Sequence, residues 1–221
     1  MTNPTAIAEN LKTIHAQIAA AAAAAGRDPA AITLIAVSKT QPPAAVAAAV
    51  KAGVKNFGEN RVQDAATKFP VAHTRLHIIG PLQTNKLRQA LGLADSIDTL
   101  DRAKLSDAIA KAADATGKLP ELLIQINIGD EPQKAGIPTA DADAFIRAQI
   151  TRFGPALRGL MCIPPEGANP TPYFRHLASI ADTHGLVVRS MGMSGDFAAA
   201  IACGATHVRI GSAIFGARPT K

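Results

Sequence analysis

Short apolar runs rich in β-branched residues alternate with helix-length segments along almost the whole chain. That alternation restricts the fold more than any other property of the sequence. ITLIAV at 32–37 is followed by PPAAVAAAVKAG, VKNFG at 54–58 by ENRVQDAATKF, and RLHIIG at 75–80 by LQTNKLRQAL. DSIDTL at 95–100 precedes a helical stretch over about 101–116, and ELLIQINIG at 121–129 precedes DADAFIRAQI. LRGLMCI, LVVRSMGM and THVRIGS supply three further strands, separated by TPYFRHLASIADTHG and DFAAAIACG. An additional helix over about 5–25 opens the chain and stops at Gly26, with Pro29 just beyond.

Strands that alternate with helices are joined by helical crossovers and lie parallel. Eight such units predict an α/β fold, a single-domain (β/α)8 TIM barrel over about 32–218 with the N-terminal helix as an extra element. An open doubly wound sheet is the alternative. The 221 residues are enough for one sizeable core and short for two full domains, so residues 1–221 read as one domain.

Composition narrows the function classes. There is no Trp and one Tyr, which leaves little to build a base-stacking platform from. Lys plus Arg number 23 against 17 Asp plus Glu, a surplus of +6 that favours anionic partners without naming one. The cations are spread along helices, as at Lys104 and Lys111, and form no nucleic-acid stripe. Cys162 and Cys203 fit no zinc spacing and read as free thiols of a reducing cytoplasm, and the histidines have no metal-like spacing. The N-terminal segment lacks the pattern of a secretion signal, and the alanine run at 19–25 is too short and too weakly apolar to span a bilayer. A cytoplasmic protein with no metal and no membrane association is expected.

Both candidate architectures gather ligands at the carboxyl ends of their strands. That rule sends Lys39, Glu59, Asn60, Gln83, Asn85, Lys86, Asn127, Ser194, Gly211 and Ser212 to one mouth. Lys39 ends an apolar strand, where a desolvated amine is more easily neutral and can condense with an aldehyde or ketone. The competing reading is a stem packed on the rim with its ammonium in water. Ser194-Gly195-Asp196 and Gly211-Ser212 open helical turns after the last two strands, and together predict an anion cup of the kind that takes phosphate. Arg209, inside the strand VRIG, needs a partner if buried: a structural salt bridge, or a ring nitrogen or carboxylate in the mouth. His77 and Asn127 read equally as satisfied core polar groups, and Glu131 and Lys134 as a pair across a loop.

An amine for an aldehyde, a cup for a phosphate and a buried cation for a ring nitrogen describe a pyridoxal phosphate site. The stretches LIAVSKTQP, FGENRVQD, LHIIGPLQTNK, LIQINIGDEPQKAGI, RGLMCIPP and SMGMSGDFAAAIACGATHVRIGSAIFGAR closely resemble the pyridoxal phosphate homeostasis proteins, relatives of the alanine racemase barrel. The resemblance runs from about residue 33 to 218, and its last block is the most specific. It implies that Lys39 forms an internal aldimine with pyridoxal 5'-phosphate and that Ser194, Gly211 and Ser212 hold the phosphate. It further implies that Arg209 faces the pyridine nitrogen and that Asn60 and Met193 line the cofactor.

The implied role is a carrier for vitamin B6 balance, monomeric and without substrate turnover, with apo pyridoxal phosphate enzymes as recipients. An arginine at the ring nitrogen makes the ring a weak electron sink. Racemases of this barrel type also draw a tyrosine from a second β-domain, for which this chain has no room, and nothing places Tyr173 over the ring. The rival expectation is a small amino-acid racemase or Schiff-base lyase. A nucleic-acid module rests only on the positive charge.

Overall fold

A computed structural model describes residues 3–216. Eight parallel strands close into a barrel: β1 (Thr33–Val37), β2 (Asn56–Glu59), β3 (Arg75–Ile78), β4 (Ser96–Leu100), β5 (Glu121–Asn127), β7 (Leu157–Cys162), β8 (Val188–Ser190) and β9 (His207–Ile210). Pairing of β4 with β5 closes the ring, so the open doubly wound sheet is excluded and the fold is a (β/α)8 TIM barrel. The expected strands are all present. The chain adds one that the sequence pattern did not reveal, the two-residue β6 (Ile137–Pro138), which lies parallel to the end of β5. Residues 217 and 218, the last of the expected barrel span, lie outside the described residues.

Alternation along the strands divides the interior into two zones. On β5, Leu122, Ile124 and Ile126 join the apolar core shared with the helices. The intervening Leu123, Gln125 and Asn127 take the other face, toward the barrel axis, as a strand period of two requires. The covering helices are α2 (Pro43–Lys51), α3 (Val62–Ala66), α4 (Leu87–Leu93), α5 (Ala103–Thr116), α6 (Ala142–Phe153), α7 (Thr171–Thr183), α8 (Phe197–Ala202) and α9 (Ser212–Phe215).

The first helix, α1 (Pro4–Ala24), is capped by Asn3, whose side-chain oxygen accepts from Thr5 N–H at 3.1 Å and Ala6 N–H at 3.3 Å. It buries Ile7, Leu11, Ile14, Ile18 and Ala22, one apolar stripe at helical spacing, against α2, α8 and α9. Each large side chain in that stripe contributes roughly 1.5–3 kcal/mol by burial. Asn10 Nδ2 donates to the Ile214 carbonyl at 2.9 Å, and Arg27 Nη1 to the carbonyls of Ile201 and Ala205 at 2.8 and 2.7 Å. The extra helix thus braces α8 and α9, the two elements that carry the last functional turns. Among the described residues no helix is long and apolar enough to cross a membrane.

Candidate functional site

Strand ends β1, β2, β3, β7, β8 and β9 surround a cavity of about 310 Å³ at the carboxyl face of the barrel. Small-molecule sites run from roughly 300 to 1,000 Å³, so this one suits a compact ligand. All seven residues proposed from sequence line it: Lys39, Asn60, Met193, Ser194, Arg209, Gly211 and Ser212. Thr40 and Gln41 from the turn after β1, and Ile79 and Ile163 after β3 and β7, join them, with Val37, Gly195 and Gly216 completing the wall.

The anionic end of a ligand would meet the β8–α8 and β9–α9 turns. Ser194 and Ser212 bring their hydroxyl oxygens to 3.5 Å of one another. Gly195 faces open space, since a Cβ there would touch nothing within 4 Å. Gly211 runs close behind the cavity: a Cβ would stand 3.2 Å from the Val37 carbonyl, so the turn is pressed against β1. Among the described residues nothing accepts from the backbone N–H groups of Ser194, Gly195 and Ser212. Such unclaimed N–H groups beside two hydroxyls form an anion nest. The sequence reading put Ser194-Gly195-Asp196 at the start of a helix. Instead α8 begins at Phe197, and Asp196 closes a preceding turn by accepting from Met193 N–H at 2.5 Å. With α8 six residues long and α9 four, the nest rests on turn amides and hydroxyls more than on helix dipoles.

Arg209 lies at the cavity floor with 4% of its surface exposed. Its Nη1 donates to the Ser190 hydroxyl oxygen and its Nη2 to the Cys162 carbonyl, each at 2.9 Å. The expected structural salt bridge is absent among the described residues; neutral acceptors hold the guanidinium instead. Burial lowers its pKa, with Cys162, Asp98 and Asp196 acting the other way.

The expected convergence on one mouth is only partly correct. Glu59 is fully buried and turned away from the cavity, paired with Lys68. Gln83 and Lys86 line a separate depression of about 650 Å³ that shares only Asn60 with the first. Asn85 lies exposed on the short 3-10 turn Thr84–Lys86. Asn127 staples a loop, donating to the Glu131 carbonyl at 2.8 Å and accepting from its N–H at 3.2 Å. Glu131 and Lys134 pair across that loop as expected. Ile79 and Ile163 are not among the polar strand-end residues that the sequence sends to the mouth; the same positional rule applied to apolar residues finds both. Tyr173 packs against the core from α7 and does not line the cavity.

Comparison with known proteins extends the geometry. A model of the alanine racemase N-terminal domain matches residues 4–219. The pyridoxal phosphate homeostasis protein of Escherichia coli strain K12 is 42% identical over 228 residues, covering 96% of this chain and 97% of that protein. The protein of the same name from Pseudomonas aeruginosa is 40% identical, covering 96% of each chain. PipY of Synechococcus elongatus PCC7942, solved with PLP bound, superposes with a TM-score of 0.81 at 33% identity, covering 95% of this chain and all of PipY. The alanine racemase of Bartonella henselae shares the fold at a TM-score of 0.74 and 14% identity, with 62% of its length covered. By sequence across nearly its full length and by architecture, the chain belongs to the pyridoxal phosphate homeostasis proteins of the alanine racemase N-terminal domain family.

Proposed function

We propose that this protein binds pyridoxal 5'-phosphate in the cavity at the carboxyl face of the barrel, stores it reversibly and releases it to apo-enzymes in the cytoplasm. The observation that carries the reading is the meeting of three chemistries in one small cavity: the Lys39 amine, the Arg209 guanidinium and the Ser194–Ser212 nest. Each matches a different part of the cofactor, so the residues present fit it. Bound there, the cofactor would supply an aldehyde for reversible condensation with the Lys39 amine, with water as the leaving group.

The chain's own residues would then divide the work of binding. Ser194, Gly211 and Ser212 take the phosphate, and each charge-assisted contact is stronger than a neutral one. Arg209 would offer a donor to the pyridine nitrogen, which would disfavour protonation there and leave the ring a poor electron sink. Asn60 and Met193 would line the cofactor, and the partly exposed Met193 forms the rim of the cavity.

Storage is favoured over turnover by the lining itself. Its titratable side chains among the described residues are Lys39 and Arg209; no carboxylate, imidazole or phenol faces the cavity. Racemisation needs an acid and a base on opposite faces of the ring. The homeostasis names carried by the relatives agree with storage. We read residues 1–221 as one monomeric binding domain.

Equilibrium dialysis against pyridoxal 5'-phosphate tests the assignment. Ser194→Ala is expected to weaken retention about tenfold, the scale of one hydrogen bond to a charged group, without unfolding the protein. Unchanged affinity contradicts the role of Ser194. Incubating the loaded protein with D- and L-amino acids in deuterated water separates storage from catalysis, since Cα exchange at catalytic rates would show a racemase or lyase.

A further inference from the structure

A buried ion pair lies directly behind the turn that carries Lys39. Glu59, the last residue of β2, is wholly buried, and its Oε1 accepts from Lys68 Nζ at 2.7 Å and from the Ser38 hydroxyl at 2.6 Å. The Lys68 side chain is 4% exposed. Its ammonium also donates to the Ser38 carbonyl oxygen at 2.9 Å. Glu59 Oε2 is buried with no hydrogen-bond partner among the described residues.

Taking two charges out of water costs several kcal/mol per ion, so a buried pair is weak support for a fold. Its location suggests what it does instead. Ser38 immediately precedes Lys39, and Glu59 immediately precedes Asn60, so the cluster sits one residue behind two cavity residues from neighbouring strands. The Ser38 carbonyl that receives Lys68 also accepts from Gln41 N–H at 3.0 Å, closing a turn over 38–41. Inside that turn Thr40 has a φ of 65°. A β-branched residue is strained in the left-handed region, and such strain persists only where the surroundings over-determine it.

We propose that Glu59 and Lys68 are a positioning clamp that holds the strained 38–41 turn and so directs the Lys39 amine into the cavity. Lys68 fixes the turn's carbonyl. Glu59 fixes the Ser38 hydroxyl and partners the Lys68 ammonium. Glu59 ends β2, which Ser38 N–H already joins by donating to the Gly58 carbonyl at 3.0 Å, and Lys68 follows the end of α3. The inference rests on the reading above, in which Lys39 takes the cofactor's aldehyde.

The test is the double variant Glu59→Gln with Lys68→Met, which removes both charges and leaves neither ion stranded. Removing both partners avoids the cost of a stranded buried charge, so the apo double variant should melt closer to the wild type than either single variant does. Its dissociation constant for pyridoxal 5'-phosphate should rise about tenfold, the scale of one lost charge-assisted contact. The pH midpoint of the bound cofactor's absorbance should also shift, which loss of packing alone would not cause. Amide exchange at Gln41 in the apo protein reads the same turn without any cofactor and should accelerate. Unchanged affinity and pH midpoint overturn the clamp, as does unchanged Gln41 exchange. Failure of the double variant to fold overturns it too, because the pair would then serve the scaffold. If wild-type Lys39 captures no cofactor, the binding reading has failed, and Gln41 exchange still decides the clamp.

Discussion

Arg209 on β9 reaches back to Ser190 on β8, whose register partner is His207, and its Nη1 donates to the serine hydroxyl oxygen at 2.9 Å. Ser190 is fully buried, and the second terminal nitrogen is held by the Cys162 carbonyl. The guanidinium is therefore oriented by neutral acceptors and forms no ion pair among the described residues. Ser190→Ala leaves a buried, charged N–H without an acceptor, which costs about 1–3 kcal/mol. Chemical denaturation should show that loss. Spectrophotometric titration should show weaker cofactor binding with a displaced absorption maximum. A variant matching the wild type in both measurements contradicts the proposed role of this contact.

Gly159 on β7 faces Val188 on β8 in register. A Cβ at Gly159 would lie 1.9 Å from the Val188 carbonyl oxygen, a backbone atom that no rotamer change can move. Gly159→Ala should therefore destabilise the barrel by about 3 kcal/mol or more, or prevent folding. Gly195→Ala, whose Cβ meets nothing within 4 Å, should leave stability nearly unchanged. Thermal melts of the two apo variants provide the comparison.

Acid sensitivity should come in part from the other end of the barrel. Burial, followed by His77, pushes the His207 pKa down from 6.5 to about 4; Arg75 and Arg209 add to the shift, and Asp98 opposes it. The ring lies 6.2 Å from that of His77 and meets the Thr206 hydroxyl at 2.9 Å. A histidine kept neutral by the fold takes up its proton more readily when unfolded. Its contribution is complete above pH 6.5 and is lost as the pH falls toward 4. The loss is on the order of 3 kcal/mol. His207→Gln should flatten the decline of melting temperature across that window, and an unaltered decline would show that other groups govern it.

Much of this architecture was legible in the chain because hydrophobic period and turn residues encode it locally. The strand ITLIAV announces β1, and the residue after it but one is Lys39; the same positional rule locates Ser194, Gly211 and Ser212. What stayed hidden depends on a side chain folding back. Nothing between Glu59 and Lys68 signals that a lysine beyond α3 will return under β2, so a strand-end glutamate read as a mouth residue. The two residues of β6 show no periodicity, and their pairing with β5 follows from the loop that Asn127 ties down. The turn at Met193–Asp196 imitates a helix start because Asp196 satisfies a backbone N–H as a cap would.

Borohydride reduction of the wild-type protein loaded with pyridoxal 5'-phosphate, followed by mass spectrometry of its peptides, tests the central claim most directly. One phosphopyridoxyl group is predicted on the peptide containing Lys39, with Lys39→Ala losing both that mass and the bound cofactor's absorbance band. Capture at another lysine, or a full band in Lys39→Ala, would contradict the account.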